Sequence, residues 1–162
     1  MATPTAALKT QFDLHTRLFN NVTEGITDEE SNTRTHGLIN HIKWIAGHML
    51  HSRLNTITKV TGGQPDDTYG AQFGRGMTID HNAPYPSMEE ITSKWNAVSP
   101  AISERINNIP EEVLASKSPV QAPVADDTIR GLFSFLLSHE AYHVGQLGIL
   151  RKMVGKEAMS FK

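Results

Sequence analysis

The sequence predicts an all-α fold. Four long segments repeat apolar residues every three or four positions, no window alternates apolar and polar residues with β-branched enrichment, and the connections are rich in glycine and proline. In the first segment Leu8, Phe12, His15, Phe19 and Val22 share one face, with Thr3 or Thr5 as N-cap and an end near Gly25. The second is expected from His36 to about Thr61, with Leu38, Ile42, Ile45, Met49 and Ser52 on its stripe and Gly62-Gly63 as its stop. Met88, Ile91, Trp95, Val98, Ile102 and Ile106 mark the third, and Ser87 with Glu90 three residues later reads as a capping box. Pro100 falls inside that pattern and removes a backbone donor, so a kink or break is expected there. The fourth carries Ile129, Leu132, Phe133, Leu136, His143, Leu147, Leu150 and Val154, opens at Asp126-Asp127 as caps and stops at Gly155.

The connection from Gly62 to Pro86 is too long for a tight antiparallel turn and can run the length of a bundle, so helices two and three are expected to be parallel. Within it, Tyr69 to Gly76 fits neither a P-loop nor a dinucleotide fingerprint, and its glycines and Arg75 read as a mobile crossover. Asn107 to Ala125 holds Pro110, Pro119 and Pro123 and is expected to form another loop. With 162 residues, 38% hydrophobic and 20% charged, the chain fits a single domain over 1–162 with its own core, to which Trp44 and Trp95 are assigned.

Composition narrows the function. Net charge is -2 with no run of Lys or Arg, which argues against a nucleic-acid or anionic-membrane ligand. The apolar run around Leu132 to Leu137 is far too short to span a bilayer, and Met1 to Thr10 has no basic start followed by an apolar block, so a cytoplasmic protein is expected. There is no cysteine, hence no thiolate ligand or cysteine nucleophile. Thiol chemistry would need a thiol from outside.

The chemistry-bearing motif is His139-Glu140-Ala141-Tyr142-His143. Imidazoles four apart on a helix point at one spot, and a neutral ring nitrogen is a good ligand for a divalent metal. His143 lies in the row Ile129, Leu136, His143, Leu150, and His139 in the row of Leu132, so both are expected to face the bundle interior. The run also matches H-E-x-x-H, but no histidine follows His143, Glu157 lies in the tail, and no sheet is available to hold a peptide. Glu140 is then either a general base or a residue leaning into water. His48 is taken as the third ligand, since it sits on the edge of the helix-two stripe beside Gly47, which permits close approach of another helix. Its rivals are His51, His41 and His15. Three imidazoles leave positions open for water or substrate, which is how catalytic sites differ from closed structural ones. Tyr142 and Gln146 are each three residues from one of the paired histidines and are candidates for supporting contacts.

The segments Trp44-Ile45-Ala46-Gly47-His48-Met49-Leu50 and Leu137-Ser138-His139-Glu140-Ala141-Tyr142-His143-Val144-Gly145-Gln146-Leu147, with Ile26-Thr27-Asp28-Glu29-Glu30 between helices one and two, resemble the DinB-like superfamily, which includes DinB and YfiT-type proteins and bacillithiol- and mycothiol-dependent transferases. The resemblance implies an up-down-down-up four-helix bundle, frequently a homodimer, with a divalent metal held by His48, His139 and His143. It also implies a small-molecule substrate and thiol-dependent S-transferase or isomerase chemistry, in which the metal activates a low-molecular-weight thiol. An all-imidazole site suits zinc or nickel first, then iron or copper. A metal-dependent hydrolase and a non-catalytic dimeric metal-binding bundle are the competing expectations.

Overall fold

The computed structural model describes residues 4–34, 37, 40–80 and 82–161, and among them the fold is helical, with no strand and one isolated bridge between Lys117 and Thr128. Helix α1 covers Pro4–Thr23 and a short α2 covers Asp28–Ser31. Helix α3, Ile42–Ser52, runs on through a π-helical segment, Arg53–Ile57, into α4, Thr58–Val60. After the crossover turn α5, Gly70–Phe73, come α6, Met88–Asn107, α7, Glu111–Leu114, and α8, Ile129–Met153.

The four long helices close a ring in which α1 and α3 each pack against both α6 and α8. Directions follow from the pairs in contact. Phe12 meets Phe133, His15 meets Glu140, and the Val22 carbonyl meets Arg151, so α1 and α8 run the same way. Asp13 meets Ser103 while Asn20 meets Asn96, so α6 opposes α1. Trp44 to Leu50 share an apolar cluster with Val144, Leu147 and Leu150, whereas Ile57 and Val60 share one with Ile129 to Leu136, so α3 opposes α8 and parallels α6. The long crossover therefore does what its length suggested.

Several helix starts differ from expectation, each for a local reason. Thr3 and Leu38, with the start expected at His36, lie outside the described residues; Thr5 is already inside α1. Helix α3 begins at Ile42 because His41 is its N-cap, its Nδ1 accepting the Trp44 N–H at 2.9 Å. Helix α8 is capped by Thr128 and not by the aspartates; the Asp126 carboxylate instead accepts from the Thr128 N–H and hydroxyl. At α6 the Ser87 half of the box forms, but the Glu90 carboxylate bonds the Tyr69 hydroxyl instead of reaching back. Pro100 leaves α6 unbroken. At α2 a full capping box joins Thr27 and Glu30, and Asp28 then holds both the buried Lys43 ammonium of α3, at 2.7 Å, and the Met88 N–H of α6, at 2.9 Å.

The core is split into two apolar clusters, one around Phe19, Met49, Trp95 and Leu147, the other around Phe12, Ile57, Ile102 and Phe133. Each fully buried large side chain contributes on the order of 1.5–3 kcal/mol. Between the clusters runs a polar layer, because each long helix places a polar residue there: His15 and Thr16, Arg53, Ser99, and Glu140.

Candidate metal centre

His48 from α3 and His139 with His143 from α8 converge. Their side chains were placed on one spot by two features of the sequence. The i, i+4 spacing stacks His139 and His143 on one face of α8, and Gly47 lets the Phe73 ring of α5 lie against α3 beside His48. The His139 Nε2 is 3.0 Å from the His48 Nε2 and 3.1 Å from the His143 Nε2. Imidazole nitrogens each about 2.1 Å from a shared ion stand roughly 3.0–3.4 Å apart over the range from octahedral to tetrahedral angles, so the spacing suits a metal. His48 and His139 are only half-buried, which leaves the spot reachable from solvent.

The protons make the same point. A carbonyl can only accept, so the His48 Nδ1 carries the hydrogen of its 2.6 Å bond to the Phe73 oxygen, and its Nε2 presents a lone pair. Gln146 donates through its NH2 to the Tyr142 hydroxyl at 3.0 Å and turns its Oε1 to the His143 Nδ1 at 2.7 Å, which likewise leaves a lone pair on the His143 Nε2. Burial pushes all three imidazoles below the ordinary histidine value, His139 and His143 to about 4, so all three are neutral near pH 7. Both lone pairs face the His139 Nε2, which with a single hydrogen can satisfy only one of them at a time. A cation at the point of convergence removes that conflict. These residues fit a divalent metal, held by Nε2 atoms whose opposite nitrogens are fixed at His48 and His143 by outer partners. The His139 Nδ1 is buried and has no hydrogen-bond partner among the described residues.

Phe73 was not foreseen. Its segment, expected to be a mobile crossover, instead buries Tyr69 and Phe73 and delivers a backbone carbonyl to His48. Trp44 and Trp95 are core residues as expected, and Trp44 also stacks on the His48 ring at 5.2 Å. The rival histidines lie elsewhere. His41 caps α3, His15 bonds Glu140 through Nδ1 at 3.1 Å, and the His51 Nε2 lies 3.6 Å from Asp67.

Glu140 neither faces the three histidines nor leans into water. It is fully buried, with Oε1 2.7 Å from the Arg53 Nε and Oε2 2.9 Å from Arg53 Nη2. Burial works to raise its pKa, but the Arg53 charge and the hydrogen bonds from Arg53 and His15 outweigh it and hold the carboxyl below its ordinary value. Arg53 is also fully buried, and each of its five N–H groups has an acceptor: the two Glu140 oxygens, the Thr16 and Ser99 hydroxyls, and the Phe12 carbonyl. Its guanidinium lies 3.7 Å from the centre of the Trp95 ring. A sequence signal for this pair does exist. Arg53 continues the stripe of Met49 and Ile57, and Glu140 that of Leu136 and Val144, both at i±4.

No helix is long and apolar enough to cross a membrane among the described residues. No curated protein matches the chain. The family model of the DinB superfamily matches residues 11–147, a span that contains α3, α6 and most of α1 and α8 together with all three converging histidines. With the bundle and the three-histidine cluster where that family is expected to have them, the chain belongs to the DinB superfamily.

Proposed function

We propose that the protein is a divalent-metal-dependent enzyme of thiol S-transferase or isomerase type. The observation that carries it is the convergence of three neutral imidazole Nε2 atoms at a solvent-reachable spot in a chain that has no cysteine of its own. A divalent metal bound there would lower the pKa of a thiol brought to it and orient that thiol for attack on an electrophile. The protein's own part is to hold two of the lone pairs in place, those of His48 through Phe73 and of His143 through Gln146, and to keep the histidines uncharged at neutral pH. Zinc or nickel suits the donor set best.

A hydrolase with Glu140 as general base is disfavoured, because Arg53 and His15 occupy both of its oxygens in the bundle interior. We place the homodimer contact on the outer face of α8, where Tyr142, Ile149 and Met153 are exposed apolar side chains, and light scattering on the purified protein tests it. The catalytic reading is tested by titrating low-molecular-weight thiols into the cobalt-substituted protein. A thiol that shifts the visible bands and is consumed with an electrophile supports it; a panel that leaves the bands unmoved overturns it.

A further inference from the structure

We propose that the Arg53–Glu140 pair is the positioning element of the three-histidine cluster, so that the glutamate of the H-E-x-x-H run acts on the metal site through Arg53 and not as a base. The inference rests on the reading of His48, His139 and His143 as metal ligands. Two helices carry those ligands, and the same two carry the pair. Arg53 lies five residues beyond His48 in the α3 run, and Glu140 is the immediate neighbour of His139 on α8. Successive helical residues point about 100° apart, so Glu140 projects into the bundle while His139 projects toward His48.

A single contact between two helices leaves them free to rotate and slide about it. A second contact nearby fixes both motions, and the bidentate guanidinium–carboxylate geometry, 2.7 and 2.9 Å, also fixes orientation. The arginine is itself immobilised. Its remaining donors reach Thr16 and Phe12 of α1 and Ser99 of α6, so α3 and α8 are held against a frame that includes every long helix. Its backbone is fixed too, since the Arg53 carbonyl accepts both the N–H and the hydroxyl of Thr58 at the π-helical segment. The pair thus sets the distance between His48 and His139 before any metal arrives. A site prepared in this way spends none of its binding free energy on gathering its ligands.

The test uses the full chain, cobalt(II) alone as probe, and two variants. Glu140→Gln keeps the side-chain shape but turns an NH2 toward a guanidinium that has only donors. The double variant Arg53→Met with Glu140→Leu replaces the pair by apolar side chains, an exchange that buried ion pairs often tolerate without unfolding. Circular dichroism reports the fold, and titration with visible spectroscopy reports the site. Parent protein binding one cobalt, with a folded variant binding about tenfold to a hundredfold more weakly and with shifted bands, is the expected result. Folded variants that bind with parental affinity and bands would overturn the proposal while leaving the metal reading intact. Failure of both variants to fold would assign the pair to global stability and overturn it as well. Parent protein that takes up no cobalt would overturn the metal reading, and the positioning role with it.

Discussion

Substitution of Gly47 by alanine isolates the contact that seats His48. A Cβ built at Gly47 lies 2.2, 2.4 and 2.6 Å from three atoms of the Phe73 ring, where carbon atoms normally rest about 3.5–4.0 Å apart. The ring must therefore retreat by more than an ångström, yet it is fully buried and stacked on Tyr85 at 5.4 Å. Overpacking of this kind costs about 1–3 kcal/mol. Helix propensity alone would favour alanine by about 1 kcal/mol, so any loss of stability reports the clash. Less that gain, the net loss is up to about 2 kcal/mol, and since the melting temperature of a chain of this size moves roughly 2–4 °C per kcal/mol, a fall of up to about 8 °C is the expected outcome. Displacement of Phe73 also pulls its carbonyl from the His48 Nδ1, now 2.6 Å away, and loss of such an outer partner weakens metal binding by about tenfold to a hundredfold. Gly145→Ala is the matched control, since a Cβ there meets nothing within 4 Å and the position is an exposed one on α8. Melting curves and metal titrations of both variants decide the matter. The account is refuted if Gly47→Ala melts with the parent and keeps its metal affinity.

Further outcomes follow from the same structure. Gln146→Ala removes the acceptor of the His143 Nδ1–H and should weaken metal binding by about tenfold with an unchanged melting curve of the metal-free protein, whereas Tyr142→Phe, one contact further out, should change it less; equal effects would contradict the order of the chain. Asp28→Ala strips the buried Lys43 ammonium of its carboxylate and the Met88 N–H of its acceptor, and should cost about 1–3 kcal/mol in urea denaturation; a cost under about 0.5 kcal/mol would contradict the tie between α2, α3 and α6. His139 and His143 titrate near 4 when folded and near 6.5 when unfolded, so between those values the unfolded chain binds more protons and metal-free stability falls as pH drops. Below about pH 4 that contribution is spent. Stability measured against pH in the parent and in a His139→Gln, His143→Gln double variant should differ in slope over this window, and identical slopes would refute the neutral buried pair.

The long helices were legible because each buries one stripe, and burial leaves a 3.6-residue period in the sequence. The helix starts were less so. His41 is not among the usual capping residues, and Asp126, Asp127 and Thr128 offer three adjacent candidates for one role, of which the structure uses Thr128. The i, i+4 pair His139 and His143 declared itself by spacing, and His48 was preferred to His51, His41 and His15 for its place next to Gly47 and for the family resemblance, but that the Phe73 ring covers α3 there was not legible. Phe73 acts through a backbone carbonyl, an atom every residue possesses, so no side-chain pattern announces it. Arg53 and Glu140 are far apart in the chain, and a charged residue on an apolar stripe is ordinarily assigned to the surface. Only the pairing of two such anomalies explains either.

Metal content per chain is the measurement that bears most directly on the central claim. Elemental analysis of untagged protein, purified in parallel with His48→Ala and His139→Ala, should find near-stoichiometric zinc or nickel in the parent and its loss from both folded variants. Parent protein that is metal-free and takes up neither ion, or variants that retain the metal, would contradict the three-histidine site.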